Sequence, residues 1–234
     1  MNRDLRNPVL HRDDPKREPL SGNIKVTRQD WIDTAMDVLI RHGADRVKIL
    51  TLADRMGVSR SSFYWYFGSR QDLLDALLSY WEDRNTAAMV AQADAPAPTI
   101  TAAICNVFRC TANPALFDTA LDFAVRDWAR RDARVRAALD ASDVMRETAL
   151  RRMFERHGYP EYEAETRAKV LYYMQLGYDF AGKPEPGARR LARVPEYLRV
   201  FAGVEPQPGE VEDFNAYARQ FAAFSEKEDP HAPS

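Results

Sequence analysis

From Thr27 onward, apolar side chains recur at intervals of three and four residues, the period of helices that bury one face. Trp31, Ile32, Ala35, Met36, Leu39 and Ile40 form the first stripe. Thr27 and Asp30 make a capping pair before it, and Gly43 is a C-terminal stop after it. A shorter run, Ile49–Met56, ends at Gly57, and Ser59 is placed to cap a third segment. Ser69 and Asp72 repeat the capping pattern before the long segment Leu73–Ala91. After a break at Asp94–Pro98, amphipathic segments continue over about 99–111, 114–130, 134–157, 161–181, 188–202 and 209–225. No segment alternates strictly between apolar and polar, so the pattern predicts an all-α protein.

Composition narrows the class. The chain has 234 residues, 45% of them hydrophobic, enough for a sizeable core. Its 33 basic and 35 acidic side chains give a formal charge of -2, which excludes a polybasic, histone-like protein. It leaves room for local basic patches. Cys105 and Cys110 do not share a helical face and read as buried apolar thiols in a reducing compartment. No apolar run is long enough to span a bilayer. The N-terminus lacks the apolar core of a secretory signal, so a cytoplasmic location without membrane contact is expected.

Within Leu52–Ser59, Ala53 is small enough for close helix approach. Gly57 suits a turn with positive φ, and Val58 fills the angle between two helices. A helix-turn-helix needs these features, but a plain helical hairpin could use them too. The next segment adds chemistry. If Phe63 and Phe67 face the core, then Ser61, Tyr64 and Trp65 point outward, with Ser62 flanking and Arg60 near the start. Small hydroxyls, aromatics and an arginine suit a DNA groove: serines permit close entry, and arginine reads guanine or holds phosphate. Alternatively, the aromatic residues pack against neighbouring helices.

Residues 27–80 resemble the DNA-binding domain of the tetracycline-repressor (TetR) family. The likeness rests on Thr27-Arg28-Gln29-Asp30, the string Leu52–Phe67, Ser69-Arg70 and Leu73-Leu74. It implies a homodimer on a double-stranded DNA operator and a C-terminal helical domain that senses a small molecule. It also implies a recognition helix over Ser59–Tyr66, comprising Ser59, Arg60, Ser61, Ser62, Tyr64, Trp65 and Tyr66. Tyr66 and Arg70 match phosphate-contacting positions, and Thr27 joins the DNA-facing set. Lys48 stands where the family often has a threonine cap, and Gly68 where proline or lysine is common. These departures blur which residues touch the DNA backbone. Residues 24–80 carry eight basic and seven acidic side chains, a weak electrostatic preference.

The expected organisation is a flexible arm at 1–23, a helix-turn-helix domain at 24–72, a ligand-sensing and dimerisation domain at 73–225, and a disordered tail at 226–234. The expected function is transcriptional regulation, most simply by a repressor that a small molecule releases from its operator. Candidate pocket residues are Phe108, Phe117, Phe123, Trp128, Met145, Met153, Phe154, Tyr172, Tyr173, Met174 and Gln175, with Asp122, Asp127 and Tyr178 as further polar groups. Such a ligand needs a cavity of a few hundred Å³. Segments 161–181 (Ala168, Leu171, Tyr172, Gln175, Tyr178) and 209–225 (Val211, Phe214, Tyr217, Ala218, Phe221, Phe224) read as dimer-forming. Arg126–Arg136 reads as a solvated elbow with i,i+4 ion pairs.

The sequence offers little to an enzyme. Its four histidines are dispersed, and it contains no phosphate-binding glycine loop, nucleophile elbow or CxxC motif. Neither a metal nor a cofactor is expected. A helical protein-interaction adaptor is the remaining rival.

Overall fold

The computed structural model describes residues 26–181, 185–221 and 224; the expected arm 1–23 and tail 226–234 lie outside them. It comprises two compact units that divide between Ala76 and Leu77, and the described residues contain no strand.

The first unit contains α1 (Arg28–His42), α2 (Ile49–Met56), a 3-10 segment (Arg60–Trp65) and the start of α3 (Arg70–Trp81). Thr27 caps α1 reciprocally: its Oγ1 accepts from the amide of Asp30, and its own amide donates to Asp30 Oδ2. Gly57 closes α2 with φ +67°, and the Val58 amide reaches back 3.0 Å to the Ala53 carbonyl. That left-handed closure favours glycine because a Cβ strains it. Trp31 packs edge-on against Phe63 at 5.1 Å, and Phe63 stacks on Phe67 at 5.3 Å. Leu39, Val47, Leu52, Leu73 and Leu74 complete this core. The buried stripe of α1 takes in Val38, whereas Met36 and Ile40 are only half-buried.

The third segment departs from the expected capped α-helix. It is a six-residue 3-10 turn, and Ser59 holds the N-cap position without capping. Its Oγ instead lies 2.8 Å from Ser61 Oγ, while Ser62 Oγ donates to the Ser59 carbonyl. These local serine bonds compete with the α-helical pattern.

The second unit takes in the end of α3, one π-turn (Glu82–Thr86), α4 (Ala87–Asp94), α5 (Ile100–Ala112), α6 (Thr119–Ala129), α7 (Ala133–Arg156), α8 (Glu161–Ala181), α9 (Gly187–Ala192), α10 (Val194–Ala202) and α11 (Pro208–Ala218). Helix α5 is buried on most sides, through Ile100, Ala103, Ile104, Val107 and Phe108, so it runs through the interior. It packs against α4, α10 and α11. Helices α7 and α8 pair most extensively, joined at Gly158.

Four segments differ from the pattern reading, of which 209–225 is helical only as far as Ala218. Leu73–Ala91 is interrupted by the π-turn. Segment 114–130 becomes helical only at Thr119, after the Asp118 carboxylate caps Leu121. Segment 188–202 breaks at Arg193: Pro195, at the start of α10, has no amide to donate to the Leu191 carbonyl, and its ring crowds that carbonyl.

Candidate nucleic-acid interface and ligand cleft

Phe63 and Phe67 are 0% and 4% exposed, and they anchor the 3-10 segment to the first unit. With the anchors inside, Ser61 is exposed, Tyr64 and Trp65 are each 47% exposed, and Ser62 flanks them. Arg60 lies beside Tyr64, donating from Nη2 to its hydroxyl at 3.1 Å with the guanidinium 5.9 Å from the ring. The expected arrangement of residues is present, although the backbone is a 3-10 turn. Hydroxyl donors and acceptors, aromatic surface and one exposed cation thus share one side of the unit.

Two residues expected to contact phosphate are engaged internally. The Tyr66 hydroxyl donates 2.7 Å to the Val26 carbonyl, fixing the residue just before the Thr27 cap. Arg70 donates from Nε to the Val47 carbonyl and from Nη2 to the Ala44 carbonyl, each at 2.6 Å. It thereby ties α3 to the turn before α2. Lys48 occupies the N-cap position of α2 without a side-chain capping bond. It is exposed and shares an open hollow with His42, Arg46, Thr51 and Arg55; Arg55 is paired with Asp37. The pattern reading missed this basic cluster because its members are scattered over α1, the turn and α2.

Residues 32–77 match the sequence model of bacterial regulatory proteins, tetR family. Over that segment the chain is similar to the tetR family. The uncharacterized HTH-type transcriptional regulator TtgW of Pseudomonas putida is 34% identical over 59 residues, 25% of this chain and 44% of that protein. Tetracycline repressor protein class A from transposon 1721 of Escherichia coli is 36% identical over 70 residues, 30% of this chain and 32% of that repressor. The chain therefore spans less than half the length of these relatives. Among solved structures, Mycobacterium smegmatis AmtR shares 16% identity with a TM-score of 0.57, covering 88% of this chain and 96% of that one. The fatty acid degradation regulator FadR from Bacillus halodurans shares 15% with a TM-score of 0.56, covering 75% and 94%. These likenesses show that the chain shares its fold with those structures over most of its length.

In that unit, an apolar cleft lies among α5, α8, α9, α10 and α11. Phe108, Thr111, Met174, Gln175, Tyr178, Arg190, Val194, Tyr197, Phe214 and Phe224 line it. It encloses about 60 Å³, or about 500 Å³ with the open space at its mouth. The enclosed part is smaller than the expected few hundred Å³. Two roomier hollows, about 310 Å³ beside Lys169 and about 560 Å³ beside His157, are open grooves with several charged side chains.

Of the expected pocket residues, Phe108, Met174 and Gln175 line the cleft, together with the polar candidate Tyr178. Phe117 and Met153 are core, and Trp128 is buried away from the cleft. Phe123 packs against Phe180, 5.9 Å between centroids. Met145 is half-exposed on α7. Tyr172 is buried and bonds to Arg126 and Asp143; its hydroxyl pKa is raised mainly by burial. Asp122 sits in the same buried network, and Asp127 forms an exposed pair with Arg131. Arg190 and Tyr197 lie outside the expected set and reach the cleft from α9 and α10. Cys105 and Cys110 are buried free thiols, both pushed up to about 12 by burial.

Proposed function

We propose that the chain is a homodimeric, sequence-specific DNA-binding regulator of transcription, a repressor that a small molecule releases from its operator. The carrying observation is the exposed Ser61–Tyr64–Trp65 surface, held out by Phe63 and Phe67 inside a tetR-family domain. The likeness to a protein named tetracycline repressor supports repression. Lys48 and Arg46 would add phosphate contacts beside this surface, and Thr27 and Arg60 join the DNA-facing set. The regulator would act in the cytoplasm, where its DNA is.

The dimer would use the outward side of α8. Tyr162, Thr166, Val170, Tyr173, Gly177 and Phe180 are all exposed and recur at three- and four-residue intervals. Val144 extends that surface onto α7. The side of α8 containing Ala168, Leu171 and Tyr172 is buried within the chain, and so are Phe214 and Ala218 of α11. Those residues are unavailable to a partner copy, contrary to the pattern reading.

Selection from a random DNA pool tests the reading. It should return a near-palindrome with half-site centres roughly 34–36 Å apart. Affinity should fall steeply and linearly with salt on log–log axes. No enrichment, or salt-insensitive binding, would favour the protein adaptor. The small-molecule part requires that a bound compound lower operator affinity, and with about 60 Å³ enclosed such a compound would extend into the open mouth of the cleft.

A further inference from the structure

The cleft carries one charge whose arrangement points to a ligand class. Arg190 has its guanidinium 4.4 Å from the centroid of Phe224 and 5.0 Å from that of Tyr178. The aromatic rings occupy the faces of the cation, whereas guanidinium hydrogen bonds lie in its plane. Among the described residues, no carboxylate forms an ion pair with Arg190. Its acidic neighbours are otherwise engaged: Glu185 takes Arg193 and the Tyr178 hydroxyl, and Asp179 takes Gln175 Nε2 at 2.9 Å. Burial raises the pKa of Asp179, while the Gln175 hydrogen bond and the charge of Arg190 oppose that rise. A half-buried cation whose in-plane donors meet no carboxylate among the described residues therefore borders apolar walls formed by Phe108, Met174, Val194 and Phe214.

We propose that this cleft binds a small organic carboxylate, with its anionic head on the in-plane donors of Arg190 and its apolar body against Phe108 and Phe214. This rests on the small-molecule part of the proposed function and names the ligand class. An Arg–carboxylate bond is charge-assisted and often bidentate, which gives the class its selectivity. The small enclosed volume favours a compact body, and a longer one must extend into the open mouth.

Calorimetry on the full chain tests the inference with benzoate, phenylacetate and octanoate, each against its primary amide. At least one acid should bind about tenfold or more tightly than its amide, the worth of one charged hydrogen bond. Arg190→Gln should abolish that preference while leaving the circular dichroism spectrum unchanged. Arg190→Lys should keep part of it. Equal binding of acid and amide overturns the carboxylate class but leaves a small-molecule site. Binding by neither member of any pair overturns the proposal, as does an acid preference that survives Arg190→Gln. Operator affinity measured with the bound acid is a separate readout: acid binding without release of DNA sinks the regulatory reading and leaves this one standing.

Discussion

Arg146 Nη1 lies 2.9 Å from Asp122 Oδ1, with the two side chains 0% and 3% exposed. Trp81 and Phe117 flank the guanidinium at 5.1 and 5.4 Å, and Thr86 Oγ1 accepts from its Nε and Nη2. Asp122 also accepts from Trp81 Nε1 and from Arg126, which bridges onward to Asp143. The ion pair thus joins α6 and α7 to the π-turn, where Asn85 exchanges hydrogen bonds with the backbone of Asp118.

Removing one member of that pair should be costly. Arg146→Met leaves Asp122 buried with fewer partners and should lower unfolding stability by about 3–5 kcal/mol, read as a shift in urea midpoint. The pH dependence has a definite sign. Burial pushes the Asp122 carboxyl up, but Arg146 and Arg126 outweigh it and hold the group below the usual carboxylate range. Its stabilisation is therefore complete above the unfolded value of about 4 and lost as pH falls through the lower folded value. Urea midpoints should fall on acidification below about pH 4 and fall less in Arg146→Met. An equal acid response in both proteins would disprove the linkage.

The reading surface makes a second prediction. Ser61→Arg, Tyr64→Ala and Trp65→Ala each alter an exposed side chain, so thermal midpoints should barely move. Operator affinity should fall by about 1–3 kcal/mol, roughly five- to 150-fold. Affinity retained in all three would show that another surface meets the DNA.

Tyr66 and Arg70 should behave oppositely. Tyr66→Phe removes the bond to Val26 and should cost about 1 kcal/mol of stability; Arg70→Met frees two carbonyls and should cost about 1–3 kcal/mol. Neither should change the salt slope of DNA binding. A slope reduced by about one in Arg70→Met, with stability intact, would restore Arg70 as a phosphate contact.

Gly57→Ala meets no atom within 4 Å, so only its φ of +67° matters. A destabilisation of about 1–2 kcal/mol is expected on thermal melting. No loss would mean that the turn relaxes out of the left-handed region.

Several of these residues could be read in the sequence and several could not. Thr27, Gly57, Phe63 and Phe67 act through local rules of capping, handedness and spacing, so their roles follow from neighbours along the chain. Ser59 misled because a serine before a helical run suggests a cap, while two nearby serines offer it other bonds. Arg146 was hidden among the charges of α7, most of which are solvated: Arg136 does form the expected i,i+4 pair with Asp140, whereas Arg126 belongs to the buried network. Only the meeting of α6, α7 and the π-turn assigns Arg146 to the interior. Arg190 was missed for the same reason, since its aromatic partners Tyr178 and Phe224 lie 12 and 34 positions away. Helix α8 shows the limit of periodicity. It has apolar side chains on two sides, and sequence spacing alone does not say which side the chain buries.

That ambiguity yields the last prediction. Burial of Ala168, Leu171 and Tyr172 leaves Val170 49%, Tyr173 54% and Phe180 79% exposed on the other stripe. Large apolar side chains at helical spacing on an open surface favour association with a matching surface, and a two-fold dimer supplies that surface from a second copy. Gly177 in the same stripe has nothing within 4 Å of an added Cβ, leaving room for a facing helix to approach. Val170→Glu with Phe180→Glu should convert the dimer to monomer in sedimentation or light scattering, because it buries like charges at the interface centre. Helix content should persist, since neither side chain is buried within its own chain. Operator affinity should collapse, because one reading surface alone makes half the base contacts. A glutamate variant that remains dimeric would move the interface elsewhere. In that case Phe214→Glu, on the helix first expected to dimerise, should unfold the second unit rather than dissociate it, since Phe214 is 3% exposed and packs 5.8 Å from Phe108.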